Sequence, residues 1–338
     1  MFNGKRILLT GGTGSFGKRF TRYVLGNFKP ESFIVVSRDE LKQFEMAQIY
    51  SPERYPALRY CIGDVRDRNR LSRLFEGIDY VVHAAAQKQV PAAEDNPTEA
   101  VKTNILGAMN IIDVAIDRGV KKVVALSTDK AANPVNLYGA TKLCSDKLFI
   151  AANQYSGSHP TRFSIVRYGN VVGSRGSVIP FFERIKRTGE IPITDERMTR
   201  FMITLEQGIK LVMTAFETMN GGEIFVPKIP SMTVMKTANA IAPGVATRII
   251  GIRPGEKLHE SLISADDARN TIEYDHLYVI LPQESNLKNG KISAADLPSG
   301  ARNVPEDFSY SSDNNTQWLD EHGLHALLKE EQKYDQEY

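Results

Sequence analysis

The chain has 338 residues, and its 42 lysines and arginines against 40 aspartates and glutamates leave a formal net charge of +2. That length excludes a small stapled module, and 42% hydrophobic with 24% charged residues excludes a disordered or fibrous chain. Charge this evenly mixed, without blocks of one sign, also argues against nucleic acid as a partner.

The two cysteines, Cys61 and Cys144, have neither metal-ligand spacing nor a pairing pattern, so no disulfide and no metal site is expected, and a reducing compartment suits them. The apolar run after Met1 stops at Leu9, too short for a signal peptide, and no stretch approaches the roughly 18 to 20 apolar residues of a membrane span. A cytoplasmic location is expected.

Short apolar, often β-branched runs recur at Ile7–Leu9, Phe33–Val36, Leu58–Ile62, Tyr80–Val82, Val123–Leu126 and Phe163–Val166. Segments of helical length separate them: Ser15–Asn27, Glu40–Tyr50, Arg68–Glu76, Pro97–Arg118 and Tyr138–Gln154. Continuous rather than alternating apolar runs indicate strands covered on both faces, so the alternation predicts an α/β fold with a doubly wound parallel sheet. Beyond Tyr168 the rhythm loosens into Gly-, Pro- and Arg-bearing stretches suited to a substrate region, while Glu223–Val226 reads as a strand returning to the main sheet. The expected organisation is a dinucleotide-binding domain over 1–168 with about 205–228. A smaller, partly discontinuous C-terminal substrate region covers about 169–204 and 229–300, and 301–338 forms a C-terminal segment. The sequence turns polar from Ser285, and Glu330–Tyr338 is expected to fray.

The first strand runs into Thr10-Gly11-Gly12-Thr13-Gly14-Ser15-Phe16-Gly17 and then a helix. Glycines here permit a tight turn and let the backbone approach a pyrophosphate seated on the helix N-terminus. Gly11, Thr13, Gly14, Ser15, Phe16 and Gly17 are therefore candidate cofactor contacts. The run Gly12–Lys18 imitates a nucleotide triphosphatase loop, but Arg19 stands where the magnesium-holding Ser or Thr belongs. After the second strand, Ser37 and Arg38, with Lys42 one turn on, offer a hydroxyl and cations to a 2′-phosphate, which favours NADP, whereas Asp39 keeps NAD open. Asp64-Val65 is placed to meet the adenine, and the small residues Ala84, Ala85 and Ala86 let a cofactor lie close after the fourth strand.

The fifth strand ends in Asp129-Lys130 at the sheet edge where such folds place ligands, and Tyr138 and Lys142 follow four residues apart on one helix face. An ammonium beside a phenol, together with an oxidised nicotinamide, depresses a pKa that is normally about 10, so Tyr138 becomes a candidate base.

The Thr10–Gly17 turn with Tyr138 and Lys142 resembles the extended short-chain dehydrogenases/reductases, NAD(P)-dependent enzymes with a nucleotide-sugar branch. Longer runs, Ser127–Ala131, Asn133–Lys142, Arg167–Val178 and Arg253–Glu260, are similar to the configuration-inverting UDP-N-acetylglucosamine 4,6-dehydratases, and the tail Ser309–Asn315 is similar to the soluble group that opens pseudaminic acid synthesis. The resemblance implies UDP-N-acetylglucosamine as substrate, a tightly held NADP, and a homo-oligomer, in related enzymes often a hexamer. It implies Tyr138 as base at the 4-hydroxyl, Lys130 as base at C5 and Asp129 as acid at the 6-hydroxyl. Asn170, Val178 and Thr194 would line the sugar-nucleotide site, Arg253 would pair with the diphosphate, Glu256 would accept from the uridine ribose, and Lys88 would face the cofactor. For these roles Lys130 must be neutral and Asp129 protonated, which demands opposite pKa shifts in a closed pocket. Gln87 and Gln89 depart from the family pattern and bear on the shape of the sugar pocket. A nucleotide-sugar 4-epimerase needs Tyr138 and Lys142 but not Asp129-Lys130, and a non-catalytic cofactor-binding partner or sensor protein needs none of the four.

Overall fold

The computed structural model describes residues 1–174, 177–283 and 300–335, so Arg175 and Gly176 of the Arg167–Val178 run and the polar stretch from Ser285 to 299 lie outside it. The alternating elements are β1 (Arg6–Thr10), α1 (Ser15–Asn27), β2 (Ser32–Ser37), α2 (Glu40–Ile49), β3 (Leu58–Ile62), α3 (Arg68–Leu74) and β4 (Tyr80–His83). They continue through α4 (Val90–Asp95), α5 (Pro97–Val101), α6 (Gly107–Asp117), β5 (Lys122–Thr128), α7 (Leu137–Tyr155) and β6 (Arg162–Tyr168).

The parallel strands lie in the order β3-β2-β1-β4-β5-β6, and the strand Ile224–Pro227 pairs in parallel with β6. An antiparallel edge, absent from the sequence expectation, extends the sheet to ten strands through Leu277–Ile280, Thr271–Glu273 and Arg302–Asn303. Helices cover both faces, so Ile7, Leu8, Leu9, Val81, Val82, Val123 and Val124 are fully shielded from water. This is why those strands read as unbroken apolar runs rather than alternating ones. Because β1 has β2 on one side and β4 on the other, the chain reverses its winding there, and a crevice opens at the carboxyl ends of the strands.

The expected single helix Pro97–Arg118 is continuous but contains a π-turn at Lys102–Leu106, and α4 was not anticipated. The wide turn places Asn104, which accepts from Gln87 N at 2.8 Å and donates to the Gln87 carbonyl at 3.0 Å and to Thr141 Oγ1 at 3.0 Å. The segment after β4 is thereby fastened to α7.

A second apolar cluster gathers Val172, Ile179, Phe182, Ile191, Ile193, Met198, Met202 and Met232, with Leu324 from the last helix, Glu321–Asp335, fully buried against them. Of the stretch Glu330–Tyr338 expected to fray, 336–338 lie outside the described residues; up to Asp335 the helix continues, and Glu331 is buried where it pairs with Arg19 of α1 at 3.0 Å.

Candidate active site

A cavity of about 1000 Å³ opens along the carboxyl edge of the sheet, from the glycine turn to the loop around Arg253. All of the candidate cofactor contacts, Gly11, Thr13, Gly14, Ser15, Phe16, Gly17, Ser37, Arg38, Lys42, Asp64, Val65, Ala84, Ala85, Ala86 and Lys88, line it. So do Asp129, Lys130, Tyr138, Lys142, Asn170, Arg253 and Glu256. Val178 and Thr194 are not on its wall: Val178 begins the helix Val178–Ile185 and packs against the second cluster, and Thr194 is buried. Of the two divergent glutamines only Gln89 faces the cavity, whereas Gln87 is held by Asn104.

The glycine turn passes a structural test for a pyrophosphate. Gly11 has φ +67°, and a Cβ there would lie 2.7 Å from the Ala84 backbone, so a larger residue would push β1 and β4 apart. Helix α1 starts at Gly14 with no side-chain cap and no acidic residue in its first turn. Its positive dipole end therefore carries no side-chain cap or carboxylate and suits an anion.

At the second strand, Asp39 caps α2 by accepting from Lys42 N at 3.0 Å and pairs with Lys42 Nζ at 2.6 Å, so its carboxylate is already engaged. Arg38 is 59% exposed at the cavity, 3.7 Å from Asp64. The Ser37 hydroxyl accepts from Gln43 Nε2 at 3.1 Å.

The chemical end is built on β5 and α7. After β5 the chain makes a single 3-10 turn, Asp129–Ala131, and α7 begins at Leu137, capped by Asn136, whose side chain accepts from Gly139 N. A Cβ on Gly139 would collide with the Lys130 carbonyl, so the glycine lets the helix sit directly against that turn. The outer loop is tied to the same place: Asn136 Nδ2 donates to the Gly255 carbonyl at 2.7 Å and Lys257 Nζ to the Ala132 carbonyl at 2.6 Å.

Tyr138 and Lys142 are both buried. Burial pushes the Tyr138 phenol up to about 12, against the opposing pull of Lys130 and a hydrogen bond with Thr128. Within the polypeptide alone, Lys130 is a nearby cation that lowers it. Burial drives the Lys142 ammonium down, partly offset by Asp146 one turn further along α7. Asp146 is itself fixed by Ser127 Oγ at 2.7 Å and Arg167 Nη2 at 3.3 Å.

Lys130 departs from the expectation of a lowered pKa. Burial pulls its ammonium down, but the carboxylates of Asp129, 3.0 Å from Nζ, and Glu260, 3.2 Å away, more than compensate and hold it above the usual lysine range. Three polar atoms of residues lining the cavity, Asp129 Oδ2, Asn170 Oδ1 and Ser177 Oγ, are buried without a hydrogen-bond partner among the described residues. A cost of roughly 1 to 3 kcal/mol attaches to such an atom unless a ligand satisfies it. Glu260, Asn104 and Asp146 escaped the sequence reading because their partners lie on distant segments. The one available signal was the position of Glu260 at the end of the Arg253–Glu260 run.

Comparison with known proteins matches residues 7–282 to the family described as polysaccharide biosynthesis protein. The chain belongs to that family. It is 56% identical to the UDP-N-acetylglucosamine 4,6-dehydratase (inverting) of Campylobacter jejuni subsp. jejuni serotype O:23/36 (strain 81-176), over 97% of this chain and 98% of that one. The UDP-glucose 4-epimerase of Rickettsia canadensis (strain McKiel) is 43% identical over 86% of this chain and 87% of its own. Among solved structures, Pen from Bacillus thuringiensis superimposes with a TM-score of 0.88 at 37% identity, covering 98% of this chain and 99% of that one. DesIV, a dTDP-glucose 4,6-dehydratase from Streptomyces venezuelae with NAD bound, shares the fold at a TM-score of 0.67 and 23% identity, over 75% and 86% of the two chains. An α/β fold with a large, mainly parallel sheet and a cavity at its carboxyl edge is common to the expectation and the structure. Among the described residues no helix is long and apolar enough to cross a membrane, and no group of metal-ligating side chains is found.

Proposed function

We infer that this chain is an inverting 4,6-dehydratase of UDP-N-acetylglucosamine, a hydro-lyase that works with a nicotinamide dinucleotide and forms a 4-keto-6-deoxy sugar of inverted configuration at C5. The observation that carries this reading is the Asp129-Lys130 pair on the same cavity wall as Tyr138 and Lys142, in a chain 56% identical to a dehydratase of that name.

A bound nicotinamide dinucleotide supplies the hydride acceptor at C4 and the donor at C6. Tyr138 Oη takes the proton of the 4-hydroxyl, and Lys142 and Lys130 stabilise the phenolate. A ketone at C4 makes the C5 hydrogen acidic. Lys130 then removes that proton, and Asp129 protonates the departing 6-hydroxyl so that it leaves as water. The hydride removed at C4 would be returned to C6, a proton from water on the opposite face restores C5–H with inversion, and Tyr138 gives up the 4-hydroxyl proton to solvent, so the substrate loses one water with no net change of oxidation state.

The ion pair between Lys130 and Asp129 fits this chemistry better than its charges first suggest. Transfer of one proton along the 3.0 Å Lys130 Nζ–Asp129 Oδ1 hydrogen bond converts ammonium and carboxylate into the amine and carboxylic acid that elimination needs. Elimination in turn protonates Lys130 and strips Asp129, which restores the ion pair. No proton needs to be exchanged with solvent before the step.

NADP is the proposed dinucleotide, supported by the exposed Arg38 and by the engagement of Asp39 with Lys42. Asn170, with its unpartnered carbonyl oxygen, Arg253 and Glu256 are proposed substrate contacts, with the second apolar cluster as the body of the substrate region. The first step of pseudaminic acid synthesis, a cytoplasmic location consistent with the free cysteines Cys61 and Cys144, and a homo-oligomer are proposed with it. A 4-epimerase, suggested by the Rickettsia relatives, has no use for an acid and a base at C5 and C6.

Proton NMR of UDP-N-acetylglucosamine with the purified protein in deuterated water tests the reading. A 6-deoxy-4-keto product carrying deuterium at C5, with inverted C5 coupling, is expected; a retained 6-hydroxymethyl group with altered C4 would establish the epimerase instead.

A further inference from the structure

The Lys130 ammonium touches two carboxylates, yet only one of them faces the cavity. Asp129 lies on its wall; Glu260, whose carboxylate Oε1 is 3.2 Å from Nζ, does not. Glu260 is 2% exposed, and its backbone is fixed in both directions by Ser312, through Glu260 N to Ser312 Oγ at 2.9 Å and Ser312 N to the Glu260 carbonyl at 2.8 Å. Two cations on neighbouring segments face its carboxylate: Arg200 Nε at 3.9 Å from Oε1, and Lys257 Nζ at 3.8 Å from Oε2. Arg200 is in turn anchored to the carbonyls of Thr199, Leu258 and Lys257. Lys130, Arg200 and Lys257 thus surround this buried carboxylate with three cations.

We propose that Glu260 is a positioning residue, the permanent counter-ion of Lys130, holding its Nζ in place and setting its proton affinity while Asp129 changes charge in each turnover. The proposal rests on the reading of Lys130 as the C5 base. Its physical content is a division of labour between two anions. Asp129 must give up and regain a proton, so it cannot by itself keep the lysine in register throughout the cycle. As Lys130 takes the C5 proton and Asp129 becomes charged only on releasing its own, Glu260 already supplies negative charge where the new ammonium forms. Removing it makes Lys130 a weaker base that loses its proton at lower pH.

The groups that set this balance are few. Asp129 on its own turn and Glu260 behind the cavity wall raise the proton affinity of Lys130, while Arg200 lowers it. Lys88, after β4, repels Lys130, as does Lys257 beside Glu260. Tyr138 on α7 feels the Lys130 charge and becomes more acidic.

The test is C5 hydrogen exchange of the isolated 4-keto product with deuterated water by the NADP-loaded enzyme, which isolates the C5 base from chemistry at C4 and from elimination. Exchange rises with pH as Lys130 becomes neutral. In Glu260→Gln the rise is expected about one unit or more lower in pH, and in Glu260→Asp, which draws the charge back without deleting it, lower by a smaller amount. The aspartate variant carries the test if the glutamine variant does not fold. Lys130→Ala is expected to lose exchange. A Glu260→Gln profile that superimposes on the wild type, with Lys130→Ala inactive, removes the role of Glu260 and leaves that of Lys130 standing. Retention of exchange in Lys130→Ala overturns both.

Discussion

Arg19, in the first turns after the glycine loop, and Glu331, near the end of the chain, form an ion pair of 3.0 Å with both side chains buried. Glu331 also accepts from Leu205 N, the first residue of the helix Leu205–Thr218, and Leu205 lines the cavity. The last helix is thus fastened both to α1 and to an element beside the site.

This anchoring predicts that the C-terminal helix is part of the folding unit. Glu331→Ala removes the carboxylate that pairs with Arg19 and accepts from Leu205 N, and is expected to destabilise the protein by up to about 3 kcal/mol. Replacement of both residues by apolar ones of similar volume should recover most of that loss. Urea unfolding of the two single variants and the double variant measures the coupling. Independent, additive effects would mean that the pair contributes little.

The position of the acid and base predicts a separable defect. Asp129→Asn keeps the shape of the acid but fixes its protonation, so formation of the 6-deoxy product is expected to fall by roughly 10²- to 10⁴-fold. Oxidation at C4 needs Tyr138 and Lys142 but not Asp129, so the bound cofactor should accumulate in its reduced form when substrate is added. Stopped-flow absorbance follows this directly, and loss of that signal as well would show that Asp129 is needed already at C4.

Cofactor choice can be read from Arg38. With Asp39 occupied as the α2 cap and by Lys42, Arg38 is the cation available to a 2′-phosphate. Arg38→Ala is expected to weaken NADP binding about ten- to a hundredfold and to leave NAD binding nearly unchanged. Equal effects on both dinucleotides in fluorescence titrations would assign Arg38 to the surface.

How far the sequence carried the fold depended on the range of the forces at work. The parallel strands and the helix Ser15–Asn27 were legible because burial on both faces and the strand-to-helix glycine turn leave local patterns. Asp129, Lys130, Tyr138 and Lys142 were legible because they lie within one turn and one helix. The antiparallel strands Thr271–Glu273, Leu277–Ile280 and Arg302–Asn303 were not, since strands this short carry little periodicity. Nor was Glu331, a charged residue in a polar tail whose partners are Arg19, more than 300 residues earlier, and the backbone N–H of Leu205. Glu260 was hidden for the same reason, for its meaning lies in Lys130 and Arg200 rather than in its neighbours.

A final prediction concerns His83, the last residue of β4, whose ring Nδ1 is 2.8 Å from Thr10 Oγ1 across the adjoining strand. Complete burial, reinforced by the charge of Lys142, pushes its pKa down to about 3 from an ordinary 6.5. The folded protein therefore keeps the imidazole neutral while the unfolded chain protonates it. Between pH 6.5 and 3 the unfolded state binds the extra proton, so stability is complete above 6.5 and falls as the solution is acidified through that window. The slope approaches about 1.4 kcal/mol per pH unit and amounts to about 2.3 kcal/mol on going from pH 6.5 to 4.5. His83→Gln retains a polar partner for Thr10 but cannot titrate. Its unfolding free energy should lie below that of the wild type at pH 7 and decline less steeply toward pH 4.5. Parallel decline of the two proteins in urea titrations across that range would mean that acid sensitivity arises from the carboxylates, and that the imidazole finds a way to charge without unfolding the sheet.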